Sequence, residues 1–92
     1  MSTTKLTRKA EQNLFSINRK YFSDALQAIY FIGEHPEAGI DVPEIQYQLD
    51  WSLKPPLKQY IHRCGSGYSI FVYFFDDGEY VWIEQLRLAA VM

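Results

Sequence analysis

The chain has a single cysteine, Cys64, among its 92 residues. One thiol cannot form an intramolecular bridge, so a disulfide scaffold is excluded and a reducing compartment is the default. The two histidines, His35 and His62, lie far apart, and no Cys/His spacing matches a zinc site. No metal and no cofactor are therefore expected. No apolar run approaches the ~18 residues of a membrane span. The opening Met1–Lys5 has no apolar stretch behind it, so no signal peptide and no membrane contact are expected, and the cytoplasm is the expected location. Internal repeats and low-complexity segments are lacking as well. Aromatic residues are not scarce: they make up 16% of the chain, and apolar residues 48%. Disordered chains are poor in both, so global disorder is excluded. One domain over residues 1–92 is expected, with a small aromatic core. A chain of this size buries only roughly 60–65% of its unfolded surface, which inclines it towards a partner.

Charge of one sign is missing from whole segments. Residues 1–20 carry Lys5, Arg8, Lys9, Arg19 and Lys20 against Glu11. Residues 21–50 carry Asp24, Glu34, Glu37, Asp41, Glu44 and Asp50 with no Lys or Arg. Residues 51–75 carry Lys54, Lys58 and Arg63 with no acid, and the rest carries Asp76, Asp77, Glu79 and Glu84 against Arg87. The net charge of −2 thus hides alternating basic and acidic blocks. If the two basic blocks meet in space, they make a local positive surface fit for phosphate or an acidic segment. If they do not, they are ordinary solvated faces.

The periodicity predicts an opening strand at Thr3–Leu6, then a helix capped by Thr7, with Ala10, Leu14, Ile17 and Tyr21 on one stripe and Arg19 and Lys20 at its C-terminal end. A second helix is expected from Ser23, with Ala25, Leu26, Ile29 and Ile32 inward and Gly33 and Pro36 as its stop. His35–Pro43 reads as a loop. From Ile45 to Leu53 apolar residues alternate with polar ones, which predicts a half-buried strand or extended segment interrupted by Pro55-Pro56. A strand at Lys58–Cys64, a turn at Gly65–Gly67, a two-sided central strand at Tyr68–Phe75, a hairpin at Asp77-Gly78 and a return strand from Tyr80 to Leu88 complete the order. The expected class is α+β: a short N-terminal strand and a helical hairpin packed on a C-terminal antiparallel β-meander.

This order, together with Ser66-Gly67-Tyr68-Ser69-Ile70-Phe71-Val72-Tyr73, the acidic hairpin Asp76-Asp77-Gly78, the strand Tyr80–Ile83 and the closing Arg87, resembles the RelE/ParE superfamily of bacterial toxins. Ala10 and Leu14 at the start of the first helix, and the His35-Pro36-Glu37-Ala38-Gly39 loop, are similar to it as well. The resemblance implies the toxin of a type II toxin–antitoxin system, used in plasmid stabilisation and growth inhibition, and neutralised by an antitoxin in a hetero-oligomer. Ser69 stands where the family commonly has Arg, and Gln85-Leu86-Arg87 stands where it often has His-x-Arg. Ile45–Pro56 is long for the family, and the chain is not strongly basic. These departures imply a ParE-like binding toxin acting on a target such as DNA gyrase. The alternatives are a RelE-like endonuclease cutting mRNA on the ribosome, and a non-toxic relic or adaptor of the same fold.

A metal-free nuclease needs a base, an acid and cations for the phosphate. The candidate catalytic residues are His62, Arg63 and Arg87. The candidate binding residues are Lys54, Lys58, Tyr68 and Tyr73. On a regular strand Lys58, Tyr60 and His62 share one face and Arg63 points to the other. The bland alternative is that these are solvated strand residues, His62 is hydrogen-bonded, and Cys64 is buried and inert. The aromatic excess, including Trp51 and Trp82, fills either the core or a groove for an amphipathic partner helix. The apolar tail Leu88–Met92 is expected to dock and to set Arg87 at the rim of the functional groove; otherwise Arg87 is an ion-pair partner of Glu84 or Asp50.

Overall fold

The first helix begins where the sequence places its cap. In the computed structural model, which describes residues 3–90, Thr7 Oγ1 accepts the amide of Ala10 at 3.2 Å. The same hydroxyl donates to the carbonyl of Glu84 at 3.1 Å, so one side chain both caps the helix and ties it to the sheet. The elements run β1 (Thr3–Leu6), α1 (Arg8–Ser16), α2 (Phe22–Glu34), β2 (Ile40–Asp41), α3 (Glu44–Leu49), β3 (Lys58–Arg63), β4 (Tyr68–Asp76) and β5 (Tyr80–Ala90). Short 3-10 turns at Arg19–Tyr21 and Pro36–Ala38 join them. The fold is α+β, as expected. A short N-terminal strand and a helical hairpin pack on a five-stranded sheet of order β1-β5-β4-β3-β2. β1 pairs with β5 in parallel, and the other neighbours are antiparallel.

β4 is central and apolar on both faces. Ile70, Val72 and Phe74 are fully buried against the hairpin, where Ala10, Leu14, Ala25, Ala28, Ile29 and Ile32 meet them. Each of the large ones contributes roughly 1.5–3 kcal/mol by leaving water. Tyr73, with Phe71 and Phe75, faces the other way, under Val42, Leu53 and Leu57.

The alternation of β5 changes phase once. Val81 and Ile83 point to the hairpin, and so do Leu86 and Leu88. The pairing steps from Tyr73 opposite Gln85 to Phe74 opposite Ile83, which leaves Glu84 as an extra residue in a bulge. The backbone groups around the bulge are taken up by α1 and its cap. Thr7 N donates to Ile83 O at 3.0 Å, and Leu86 N donates to Asn13 Oδ1 at 3.1 Å.

Several expectations are corrected. Ile45–Leu53 is not a strand: Glu44–Leu49 is a helix and the next residues turn, with the adjacent Gln46 and Tyr47 half-buried while Ile45 and Leu49, four apart, share the outer face. α1 ends at Ser16, so Arg19 and Lys20 lie in the 3-10 turn instead of at its C-terminus. α2 starts at Phe22 and runs through Gly33 to Glu34, with Ala28 in the buried stripe and Leu26 in solvent. Gly33 is there because a Cβ would stand 2.0 Å from Thr4 Oγ1 of β1. The loop at 35–43 contains β2. Of the apolar tail, Leu88–Ala90 belong to β5; Val91 and Met92 lie outside the described residues.

Two substitutions test this packing. A Cβ on Gly39 would fall 2.3 Å from Cζ of the fully buried Phe74 ring. Gly39→Ala is expected to cost about 1–3 kcal/mol in urea unfolding, whereas Gly65→Ala, with nothing within 4 Å, stays within about 0.5 kcal/mol. Asn13→Ala leaves the Leu86 amide without its acceptor and is expected to cost about 1–3 kcal/mol; Asn13→Asp, which keeps an acceptor there, recovers most of it.

Candidate functional site

Strand alternation divides the candidate residues between two faces. Lys58, Tyr60 and His62 stand opposite Phe74, Val72 and Ile70, and so share one face as expected; it is the face that the hairpin packs on. That face is covered. Tyr60 is half-buried and stacks on Phe31 of α2 with ring centroids 5.1 Å apart. His62 Nε2 lies 3.1 Å from Asp24 Oδ1, in the first turn of α2. Tyr68 also lies on this side, its ring 5.3 Å from that of Tyr21, whose hydroxyl is 2.7 Å from Ser66 Oγ. Lys58 is exposed beside Asp41 and Asp76.

The opposite face carries three register rows across β3, β4 and β5: Gln59–Tyr73–Gln85, Ile61–Phe71–Arg87 and Arg63–Ser69–Ala89. The first is buried and polar beneath α3. Gln59 Oε1 and Gln85 Nε2, with Gln46 Oε1 of α3, find no protein partner among the described residues. Burial pushes the Tyr73 phenol up, against the pull of the Arg87 guanidinium 5.3 Å from its ring.

Arg87 links this face to its cover. Its Nη2 donates to Ser52 Oγ at 3.0 Å and pairs with the Asp50 carboxylate, and its Nε donates to Gln85 Oε1. Asp50 Oδ1 also accepts the Ser52 amide at 3.0 Å and the Ser52 hydroxyl at 2.6 Å. The Ser52 hydroxyl and then Arg87 hold the Asp50 carboxyl down at about 2. A second tie lies nearby: Tyr47 Oη accepts the amide of Leu57 at 2.8 Å and donates to its carbonyl at 3.3 Å. The first tie fastens the segment to β5 and the second closes the segment on itself between α3 and Leu57, with Leu49 and Trp51 exposed.

The two basic blocks do meet at one point. Lys9 of α1 and Lys54 line a cleft of ≈ 480 Å³ together with Glu84, Ser52 and Phe75. Glu84 keeps that cleft from being purely basic. The expected catalytic trio is not brought together. His62 is on the hairpin face; Arg63 and Arg87 are on the other, separated by β4 and thus by roughly 10 Å. Arg87 and Tyr73, from neighbouring strands, are in contact. Sequence reading placed Asp50 only as an alternative partner of Arg87, and missed Ser52 and the grouping of Asp24, His62 and Cys64. The phase change in β5 is the one sequence signal that puts Arg87 on the outer face.

Compared with protein-family models, curated proteins and solved structures, the chain gives no match.

The Arg87–Asp50–Ser52 clasp has a pH dependence of definite sign. A carboxyl whose pKa is lowered on folding stabilises the fold above its unfolded value near 3.8 and loses that contribution as pH falls towards about 2. Asp50→Asn is expected to melt lower than the parent at pH 7 and to show a flatter decline of melting temperature between pH 4 and 2. Arg87→Lys recovers only part of the loss caused by Arg87→Ala, because an ammonium cannot reach Asp50, Ser52 and Gln85 with one planar fork. In the Asp50→Asn background the effect of Arg87→Ala shrinks.

Proposed function

We propose that this protein is the toxin half of a type II toxin–antitoxin pair of the ParE-like kind. It is a cytoplasmic binding protein that grips a macromolecular target and is held by an antitoxin in a hetero-oligomer. The observation that carries this reading is the set of large apolar side chains left in water by a sheet that already has two covers. Trp51 is 88% exposed, Leu49 79%, Phe15 77% and Tyr30 75%. Ile45, Leu49 and Trp51 come from one short stretch and are all exposed, and exposed apolar groups of this kind mark interaction sites when they cluster. The clasp holds that stretch in one conformation before any partner arrives, which lowers the ordering cost of binding. The strand, helical hairpin and meander order supports the same reading through its resemblance to RelE/ParE toxins.

The dispersal of His62, Arg63 and Arg87 supports a binder over a nuclease. Acid–base groups must lie within hydrogen-bond reach of one substrate, and here the His62 ring is taken by Asp24 and Arg87 by Asp50. DNA gyrase is the target that the resemblance implies. The second reading, a ribosome-dependent mRNA endonuclease, is favoured by one feature, the meeting of Lys9 and Lys54 at the cleft beside Glu84. The location rests on the lone reduced thiol; no helix among the described residues is long and apolar enough to cross a membrane.

Expression of the chain alone in bacteria is expected to arrest growth, and co-expression of the neighbouring open reading frame to relieve it. Transcript 5′ ends are expected to stay unchanged during arrest; new ends would establish the nuclease reading instead. Leu49→Ala combined with Trp51→Ala is expected to abolish arrest while stability stays within about 0.5 kcal/mol, since neither side chain is buried. No arrest under any expression level would leave the relic or adaptor reading in place of a toxin.

A further inference from the structure

One side-chain cluster is used by neither the clasp nor the apolar surface. On the hairpin face, Asp24, His62 and Cys64 each offer one metal-competent atom, and these atoms all lie within 4.8 Å of one another. They come from three places: the first turn of α2, the last turn of alternation in β3, and the residue just after it. His62 and Cys64 are two apart in extended chain and so project to one side, where α2 lays Asp24 over them.

We propose that Asp24 Oδ1, His62 Nε2 and Cys64 Sγ form a site for a divalent zinc ion, with a fourth position open to water. The donor set is the argument. A thiolate, an imidazole and a carboxylate together suit zinc, whereas magnesium and calcium take oxygen only. Charge closes as well, since a thiolate and a carboxylate balance a dication. Tetrahedral bonds of about 2.0–2.3 Å place ligand atoms about 3.3–3.8 Å apart. His62 Nε2 and Asp24 Oδ1 already stand at 3.1 Å. Bringing the cluster from 4.8 Å to that spacing is a movement of about 1 Å, within the reach of one side-chain torsion of Cys64 or Asp24.

The surroundings fit entry and retention. The side chains of His62 and Asp24 are 18% and 30% exposed, which leaves a path for the ion, while Cys64 is buried on the core side. The turn that carries Cys64 is fixed by Cys64 N donating to Tyr68 O at 2.8 Å and by the Tyr21–Ser66 hydroxyl contact. Without metal, burial and then the Asp24 carboxylate push the Cys64 thiol up, so it holds its proton at neutral pH. Zinc would take the sulfur as thiolate, and the thiol proton would leave to solvent as the Zn–S bond forms.

The test is metal titration of the chelator-treated full chain with Zn²⁺ against a chromophoric competitor, and with Co²⁺ by absorption. One ion per chain is expected, with the intense d–d bands of a tetrahedral centre and a thiolate-to-cobalt charge-transfer band. About one proton is released per ion at neutral pH. Cys64→Ser is expected to remove the charge-transfer band. His62→Gln and Asp24→Asn are each expected to weaken binding by about 10–100-fold or more, and His35→Gln to leave it unchanged. The melting temperature of the unmodified chain should rise with Zn²⁺ concentration, which keeps the test valid where a variant fails to fold. Absence of a zinc-dependent rise, a weak octahedral cobalt spectrum, or uptake that survives Cys64→Ser would each overturn the site.

Discussion

One extra residue in β5 sets the rest of the arrangement. A strand that alternated without interruption from Val81 would send Gln85 and Arg87 into the hairpin core and turn Leu86 and Leu88 outward. Glu84 absorbs the mismatch in a bulge, so the apolar set stays on one face throughout. A bulge leaves backbone groups unpaired, and buried ones are costly. Thr7 and Asn13 supply the partners, which fixes where α1 sits. The same phase change delivers Arg87 to the outer face, where it meets Asp50 and Ser52.

β4 is apolar on both faces and needs two covers. The hairpin is a large, dry cover, with alanines at 10, 25 and 28 letting the helices approach closely. The second cover is the short stretch from Val42 to Leu57, whose α3 buries no residue. Its contact with the sheet is part apolar, through Val42, Leu53 and Leu57, and part polar, through the Arg87 clasp, while the Tyr47 hydroxyl closes the stretch on Leu57. A thin cover pinned by polar ties presents its own apolar side chains to water. The segment that completes the outer core is therefore also the one that leaves Leu49 and Trp51 exposed.

The two faces also separate two kinds of chemistry. The outer face couples a cation to a carboxylate and leaves Trp51 and Leu49 in solvent, and the proposed binding function rests on it. The hairpin face gathers a carboxylate, an imidazole and a thiol in a half-buried corner between α2 and the end of β3, where the zinc site is proposed. β4 lies between them and carries no titratable group but Tyr73 in its buried middle.

Local chemistry was enough to determine much of the fold from the sequence. Thr7 reads as a cap, Asp77-Gly78 as a hairpin and Tyr68–Phe75 as a central strand, because cap, turn and alternation act over a few residues. Gly78, at φ +91, is where that hairpin requires a glycine. The shared face of Lys58, Tyr60 and His62 was legible for the same reason, since strand alternation needs no partner to define it. What the tertiary structure alone decided was which face is open. Lys58, Tyr60 and His62 read as one recognition surface, but α2 lies over Tyr60 and His62 and leaves only Lys58 exposed. Ile45–Leu53 alternates like a strand, yet β2 takes the place beside β3, and the stretch folds as α3 and a turn instead of joining the sheet. Asp24 and Cys64 are 40 positions apart in the chain, as Asp50 and Arg87 are 37, and each pair is joined through packing of elements that share no local signal. Side-chain groupings of that kind depend on long-range contacts, and those are set by the whole core and by no short stretch of sequence.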